Sequence, residues 1–224
     1  EAYPANVPSM SAPHSNSLRD SQKAAREIIL INPKFEVVIQ RAGFCTLGIN
    51  KGKRRARESN FAALASSILS QQLSTKAAAT IIDRVEELSG GVLQANKIAD
   101  LNLRQLRSAG CSNAKARSIT ELARATVNRD LPMSSLHRLT DEEIMGHLLP
   151  LFGIGRWTVE MFLMFQLGRH DIWPVGDLGV RRGWEKIHRM RTEIEPYTLE
   201  KLGAKYSPYR SHVAWYCWRA LEVL

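Results

Sequence analysis

"LFGIGRWTVEMF", residues 151–162, sets a Gly-Ile-Gly corner between two apolar segments and follows it directly with a tryptophan. Glycines at Gly153 and Gly155 permit positive φ and leave backbone N–H groups uncovered where the next segment begins, so the corner can turn one helix tightly into another. A dinucleotide fingerprint is excluded, because Thr158 occupies the third glycine position of GxGxxG and a helix, not a strand, leads in. Uncovered amides at a helix start suit phosphate. An ordinary αα-hairpin with a glycine cap would use the same residues without any ligand.

On either side of the corner the chain reads as helices. Residues 1–16, rich in Pro, Ser, Asn and Ala without periodicity, read as a flexible tail. Ser17 is a cap candidate with Asp20 three residues on, and Asn32-Pro33 ends that helix. The segment "NKGKRRARESN" (50–60) carries five Lys or Arg residues and reads as a solvated linker and domain boundary, though it could touch phosphate. Phe61, Leu64, Ala65, Ile68, Leu69 and Gln72 follow helical spacing; Ser74 then caps a helix bearing Ala78, Ile81, Ile82 and Val85, which Gly90-Gly91 stops. Two helices break at Gly110, the second capped by Ser112, and Thr140 with Glu143 forms a capping box. Near the C-terminus Ser207 is read as a cap and Pro208 as the first helical residue of an aromatic helix holding Trp215, Tyr216 and Trp218. No period-2 strand is found, so the fold class is all-α.

Composition narrows the function classes. The 224 residues suffice for one large domain or two lobes sharing a core. Lys plus Arg total 31 against 22 Asp plus Glu, and the resulting net charge of +9 favours anionic partners, nucleic acid above all. Cys45, Cys111 and Cys217 lie too far apart for a CxxC pair, so we expect reduced thiols with no zinc and no iron–sulfur cluster. With no apolar run of membrane-spanning length and no signal pattern, an intracellular protein is expected: cytoplasm and nucleoid in a bacterium, nucleus in a eukaryote.

A second stretch, "IWPVGDLGVRRG" (172–183), follows the corner. Pro174 and Gly176 force a turn and place Asp177 where a helix begins, which is the ordinary position of an N-cap. Together the hairpin and an aspartate twenty-two residues beyond Gly155 resemble the signature of the helix-hairpin-helix DNA glycosylases, and within them the DNA-3-methyladenine glycosylase II family. "FAALASSILSQQLSTKAA", "LRSAGCSNAKARSITELA" and "PYRSHVAWYCWRA" extend the resemblance in order from about residue 59.

The resemblance implies two helical lobes with the active-site cleft between them: 17–58 plus 168–224 as one, and 59–167, containing the helix-hairpin-helix, as the other. It is to the short form, without the β-rich domain that begins the longer bacterial members. Trp157 stands where backbone-cutting branches carry a lysine nucleophile; indole cannot form a Schiff base, so a monofunctional glycosylase in which water attacks the sugar is implied. Asp177 would stabilise positive charge on the sugar and orient that water. Trp157 and Trp218 match base-pocket positions, Met161 stands where a tyrosine is common, and Trp173 is a further pocket candidate. Backbone amides of Gly153, Gly155 and Thr158 would hold a DNA phosphate, and Gln72 with its neighbour Leu73 would supply the wedge that fills the gap left by the flipped nucleotide. Carbonyls of Leu149, Leu151 and Ile154 would hold a structural Na⁺ or K⁺, with no catalytic cofactor. Phe152 replaces a common proline.

The expected substrate is double-stranded DNA bearing alkylated purines such as 3-methyladenine and 7-methylguanine, and the expected enzyme is a monomer without membrane attachment. A cationic leaving base needs little acid assistance, and electron-rich rings attract it. Two alternatives remain at this point: a non-enzymatic helix-hairpin-helix DNA-binding protein, and a glycosylase for another base such as uracil or a deaminated purine.

Overall fold

The structure is a computed structural model that describes residues 18–48 and 59–224. The expected tail 1–16, the Ser17 cap and nearly all of the basic segment 50–60 lie outside the described residues. Within them the fold is all-α, with twelve α-helices and no strand.

Local chemistry starts and stops most of these helices. α1 (Leu18–Ile31) ends before Asn32, whose side chain accepts the Lys34 N–H and opens a short turn into α2 (Glu36–Ala42). Ser59 caps α3 (Asn60–Ser70) and Ser74 caps α4 (Thr75–Leu88), each accepting an amide three residues on. Gly90 and Gly91, both at positive φ, take the chain away from α4. α5 (Ala95–Ala99) and α6 (Leu103–Ser108) precede the Gly110 break, and Ser112 caps α7 (Asn113–Val127). The Thr140–Glu143 capping box starts α8 (Asp141–Leu148). Beyond the Gly-Ile-Gly corner run α9 (Arg156–Met161), then α10 (Leu178–His188) capped by Asp177, α11 (Pro196–Gly203) and α12 (Arg210–Val223).

One expected cap is corrected. Ser207 does not start α12: its hydroxyl donates to Asp171 Oδ2 at 2.7 Å, and the helix opens only after Tyr209. Asp171, which also takes the Arg210 guanidinium at 2.7 and 2.9 Å, outcompetes the helix amides for this side chain.

Packing draws the helices into two groups around a continuous apolar core. α12 lies along α10 and α2 and touches α1, while α7 packs on α3, α5 and α6. Phe35, Trp173, Trp184 and Tyr206 meet edge to face inside the first group. The three cysteines are buried and unpaired, and burial pushes the Cys45 thiol up to about 12. None of the described helices is long and apolar enough to cross a membrane.

The α10–α12 contact is a backbone contact. A Cβ on Gly183 would lie 1.9 Å from the Cys217 carbonyl oxygen and 2.7 Å from its Cα, so the two helices approach as closely as they do because Gly183 has no side chain. Gly183→Ala is expected to destabilise the protein by about 2 kcal/mol or more, since a neighbouring backbone cannot yield as a side chain can. Chemical denaturation of the purified variant measures it.

Candidate functional site

The corner between α8 and α9 uses its two glycines differently. Gly153 has φ +78°, and a Cβ there would lie 2.0 Å from the Ser118 hydroxyl of α7, so both conformation and space demand glycine. Gly155 has φ −90° and faces nothing within 4 Å, so the protein's own packing does not require a glycine there. It precedes α9 without any side-chain cap bond, which leaves the first amides of that helix open.

Phe152, unlike the proline it replaces, has an N–H, and this donates to Glu121 Oε2 at 3.2 Å while the Arg117 guanidinium lies 3.9 Å above its ring. From the α3–α4 turn, Gln71 Nε2 donates to the Gly153 carbonyl at 3.2 Å and to Thr158 Oγ1 at 3.4 Å. Sequence reasoning passed over Gln71 for its neighbour Gln72; the paired glutamines were a signal, but not of which one turns inward.

Asp177 gathers three donors from three helices. Its Oδ1 accepts the Val180 N–H of α10 at 2.8 Å and the Trp218 indole N–H of α12 at 2.8 Å. Its Oδ2 accepts the Trp157 indole N–H of α9 at 2.7 Å. A Cβ on Gly179 would lie 2.8 Å from the Trp218 ring, so the absence of a side chain there lets the indole reach the carboxylate. Glu160 on α9 is buried and paired with Arg156 at 2.9 Å. Burial first, with Glu200 and then Asp177 contributing as like charges against the pairing with Arg156, raises its carboxyl above the usual range.

Two adjoining cavities lie against α3, and Trp157, which donates to the carboxylate, lines one of them. One, about 370 Å³, lies between Ala63, Ser66, Ser67 and Ser70 of α3 and Met161, Phe162, Phe165 and Gln166. The other, about 440 Å³, shares Ser67 and Ser70 and continues to Gln72, Gly155 and Trp157. Phe165 stacks on Trp218 with ring centroids 5.7 Å apart. It gets there because α9 runs into a π-helical turn over Phe162–Gln166, closed by the Leu167 N–H on the Phe162 carbonyl at 3.1 Å. Nothing in the residue pattern announced that turn, and Phe165 was missed with it.

The sequence-expected residues therefore divide. Asp177, Trp157 and Trp218 meet directly, and Met161 lines the neighbouring cavity. Trp173 is a correction: it is buried, its indole N–H donates to the Leu199 carbonyl at 3.0 Å, and Gly203 leaves a slot for its ring, so it is core and presents no face to a ligand. Gln72 stands exposed at φ +56° on the rim of the larger cavity, with Leu73 exposed beside it. Leu149, Leu151 and Ile154 follow one another through the corner itself; the Leu151 carbonyl also accepts the Ile154 N–H at 3.2 Å. Thr158 is buried one turn into α9.

Comparison with known proteins returns one consistent picture. Residues 65–208 match the family model described as HhH-GPD superfamily base excision DNA repair protein. DNA-3-methyladenine glycosylase 1 of Schizosaccharomyces pombe is 36% identical over 160 residues, 70% of this chain and 70% of that protein. The solved structure of the S. pombe 3-methyladenine DNA glycosylase in complex with abasic DNA superposes with a TM-score of 0.74 at 30% identity, covering 88% of this chain and 95% of that one. A DNA-3-methyladenine glycosidase structure from Bacillus halodurans gives 0.78 at 32% identity, with 88% of each chain covered.

The two glycines of the corner should respond differently to substitution. Gly153→Ala is expected to lower stability by about 2 kcal/mol from strain and overlap, whereas Gly155→Ala should change it by less than about 0.5 kcal/mol. Thermal melts of the two variants, compared directly, check this.

Proposed function

The chain belongs to the HhH-GPD superfamily of base excision DNA repair proteins, and we propose that it is a DNA N-glycosylase that hydrolyses the N-glycosidic bond of alkylated purines of the 3-methyladenine and 7-methylguanine type. The observation that carries this reading is the Asp177 carboxylate, bound by the indole N–H groups of Trp157, which lines one of two adjoining cavities, and of Trp218, against which Phe165 of the other cavity stacks. The names of its relatives support the same substrate class.

An N3- or N7-alkylated purine is already cationic and leaves as a neutral base, so the site has to receive the flipped base and stabilise an oxocarbenium-like sugar. Among the described residues, neither cavity is lined by an acidic side chain that could protonate a departing neutral base, which favours cationic lesions over uracil or deaminated purines. Asp177 supplies the negative charge beside C1′ and orients water. The ring surface of Phe165 on Trp218, with Met161 below, receives the base, and Trp157 closes the other side. A DNA-binding protein without enzymatic activity would need this carboxylate only to cap α10, which the single bond from Val180 already does.

DNA is the partner, bound as duplex by a monomer, and the protein acts wherever the genome is kept. Backbone amides of Gly153, Gly155 and Thr158 face a phosphate, and the bare approach to Gly155 supports this. Gln72 and Leu73, exposed at the turn beside the cavity, supply the wedge. Leu149, Leu151 and Ile154 offer only neutral carbonyl donors, a set that fits a monovalent cation. Such an ion would hold the corner's shape and take no part in chemistry.

Three results test the reading. Single-turnover release of 7-methylguanine should fall by roughly 10² or more in Asp177→Asn, equivalent to about 3 kcal/mol, while affinity for an abasic-analogue duplex changes little. Asparagine keeps the bond from Val180 but turns an N–H₂ toward one indole donor, so a parallel melt separates lost chemistry from lost structure. Near-wild-type release would remove Asp177 from the reaction. Borohydride should trap no protein–DNA adduct, since among the described residues no lysine lines either cavity; a robust adduct would overturn the monofunctional assignment. Gly155→Leu should weaken binding to damaged and undamaged duplexes alike, because a phosphate contact carries no base information.

A further inference from the structure

Trp157 and Trp218 both reach Asp177 with their indole N–H groups; Trp157 also lines one of the cavities, and Trp218 carries the stacked Phe165 ring. A capping aspartate is ordinarily anchored through one oxygen, here by the Val180 N–H, while the other oxygen turns toward solvent. At Asp177 both oxygens are taken. Trp218 doubles the hold on Oδ1 and Trp157 alone holds Oδ2, so three of the carboxylate's roughly four lone-pair sites are occupied.

The two donors are themselves held differently. The Trp218 indole lies in the space left by Gly179, with Phe165 stacked against it. Trp157 remains 48% exposed on a short helix, so packing alone does not account for its orientation; its hydrogen bond to Asp177 does.

We propose that Trp157 and Trp218 are positioning residues for the glycosylase reaction, acting through their indole N–H groups to hold the Asp177 carboxylate in a single orientation before the sugar arrives. Charge that is already in place need not reorganise as the oxocarbenium ion develops, which is where a preorganised group gains over a mobile one. A phenylalanine at either position would keep a ring for the base and lose the donor. The inference deepens the glycosylase reading and rests on it for its kinetic consequence, but the hydrogen-bonded arrangement can be tested without any turnover.

The arrangement is tested by ¹⁵N-indole NMR of the full protein. The Trp157 and Trp218 signals are assigned with Trp157→Phe and Trp218→Phe. In Asp177→Ala both should shift and exchange faster with solvent, while those of the other tryptophans stay in place. If neither signal moves, the hydrogen-bonded clamp is refuted whatever the enzyme does.

The role is tested by single-turnover base release. Trp157→Phe and Trp218→Phe should each slow it by roughly 10-fold, the scale expected for losing a hydrogen bond to a charged group. The factor should be the same for 7-methylguanine and 3-methyladenine, and affinity for an abasic-analogue duplex should stay within about twofold. Retained rate in Trp157→Phe, a lesion-dependent loss, or a parallel loss of DNA affinity would each refute positioning in favour of base stacking or DNA contact. Should Trp218→Phe fail to fold, the half-exposed Trp157 still decides the matter. If the wild-type protein releases no alkylated base, the functional reading fails while the NMR result still stands or falls by itself.

Discussion

One carboxylate organises the site. Asp177 joins α9, α10 and α12 through N–H donors at 2.7 to 2.8 Å, and each donor depends on a different feature of the fold. The Val180 amide is available because α10 begins there. The Trp218 indole is available because Gly179 leaves room and because Gly183 lets α12 lie directly on α10. The Trp157 indole is available because the glycine corner aims α9 across the cleft. A charge-assisted bond is strong only when its partners are held in register, so the tight helix contact and the corner both serve the geometry of a single side chain.

Much of this was legible in the residues. Caps are short-range chemistry, and Ser74, Ser112, Thr140 and Asp177 all act where their spacing to the next apolar run put them. The glycine breaks at Gly90, Gly91, Gly110 and Gly153 likewise answer to local φ. What failed was decided by partners far away in sequence. Ser207 had the spacing of a cap but found Asp171, thirty-six residues earlier. Trp173, adjacent to the Asp177 turn in the chain, turned into the slot at Gly203. Either side chain had two uses that periodicity cannot distinguish. The short α5 and α11 gave too few turns for a pattern to emerge.

Gln71 and Phe152 show how a departure from a family's pattern can be absorbed. The proline expected at position 152 would stiffen the corner through its ring; here the same segment is held by the bond to Glu121, by Arg117 over the ring and by Gln71 on the Gly153 carbonyl. Rigidity supplied by hydrogen bonds from α7 and the α3–α4 turn ties the corner to the rest of the protein, where proline would have made it stiff by itself. The wall of small hydroxyl side chains on α3 and the hairpin opposite are thus joined across the cleft they form.

The π-helical turn after α9 sets local preference against global fit. An α-helical hydrogen-bond pattern is the lower-energy choice for an isolated segment such as Phe162–Gln166, and omitting a single residue there would restore it. The wider turn changes which of its own side chains face α12, and Phe165, which stacks on Trp218, lies within it. At this segment the fit to the site overrides the preference of the isolated helix: the number of residues in the turn, more than the identity of any one of them, sets Phe165 on Trp218.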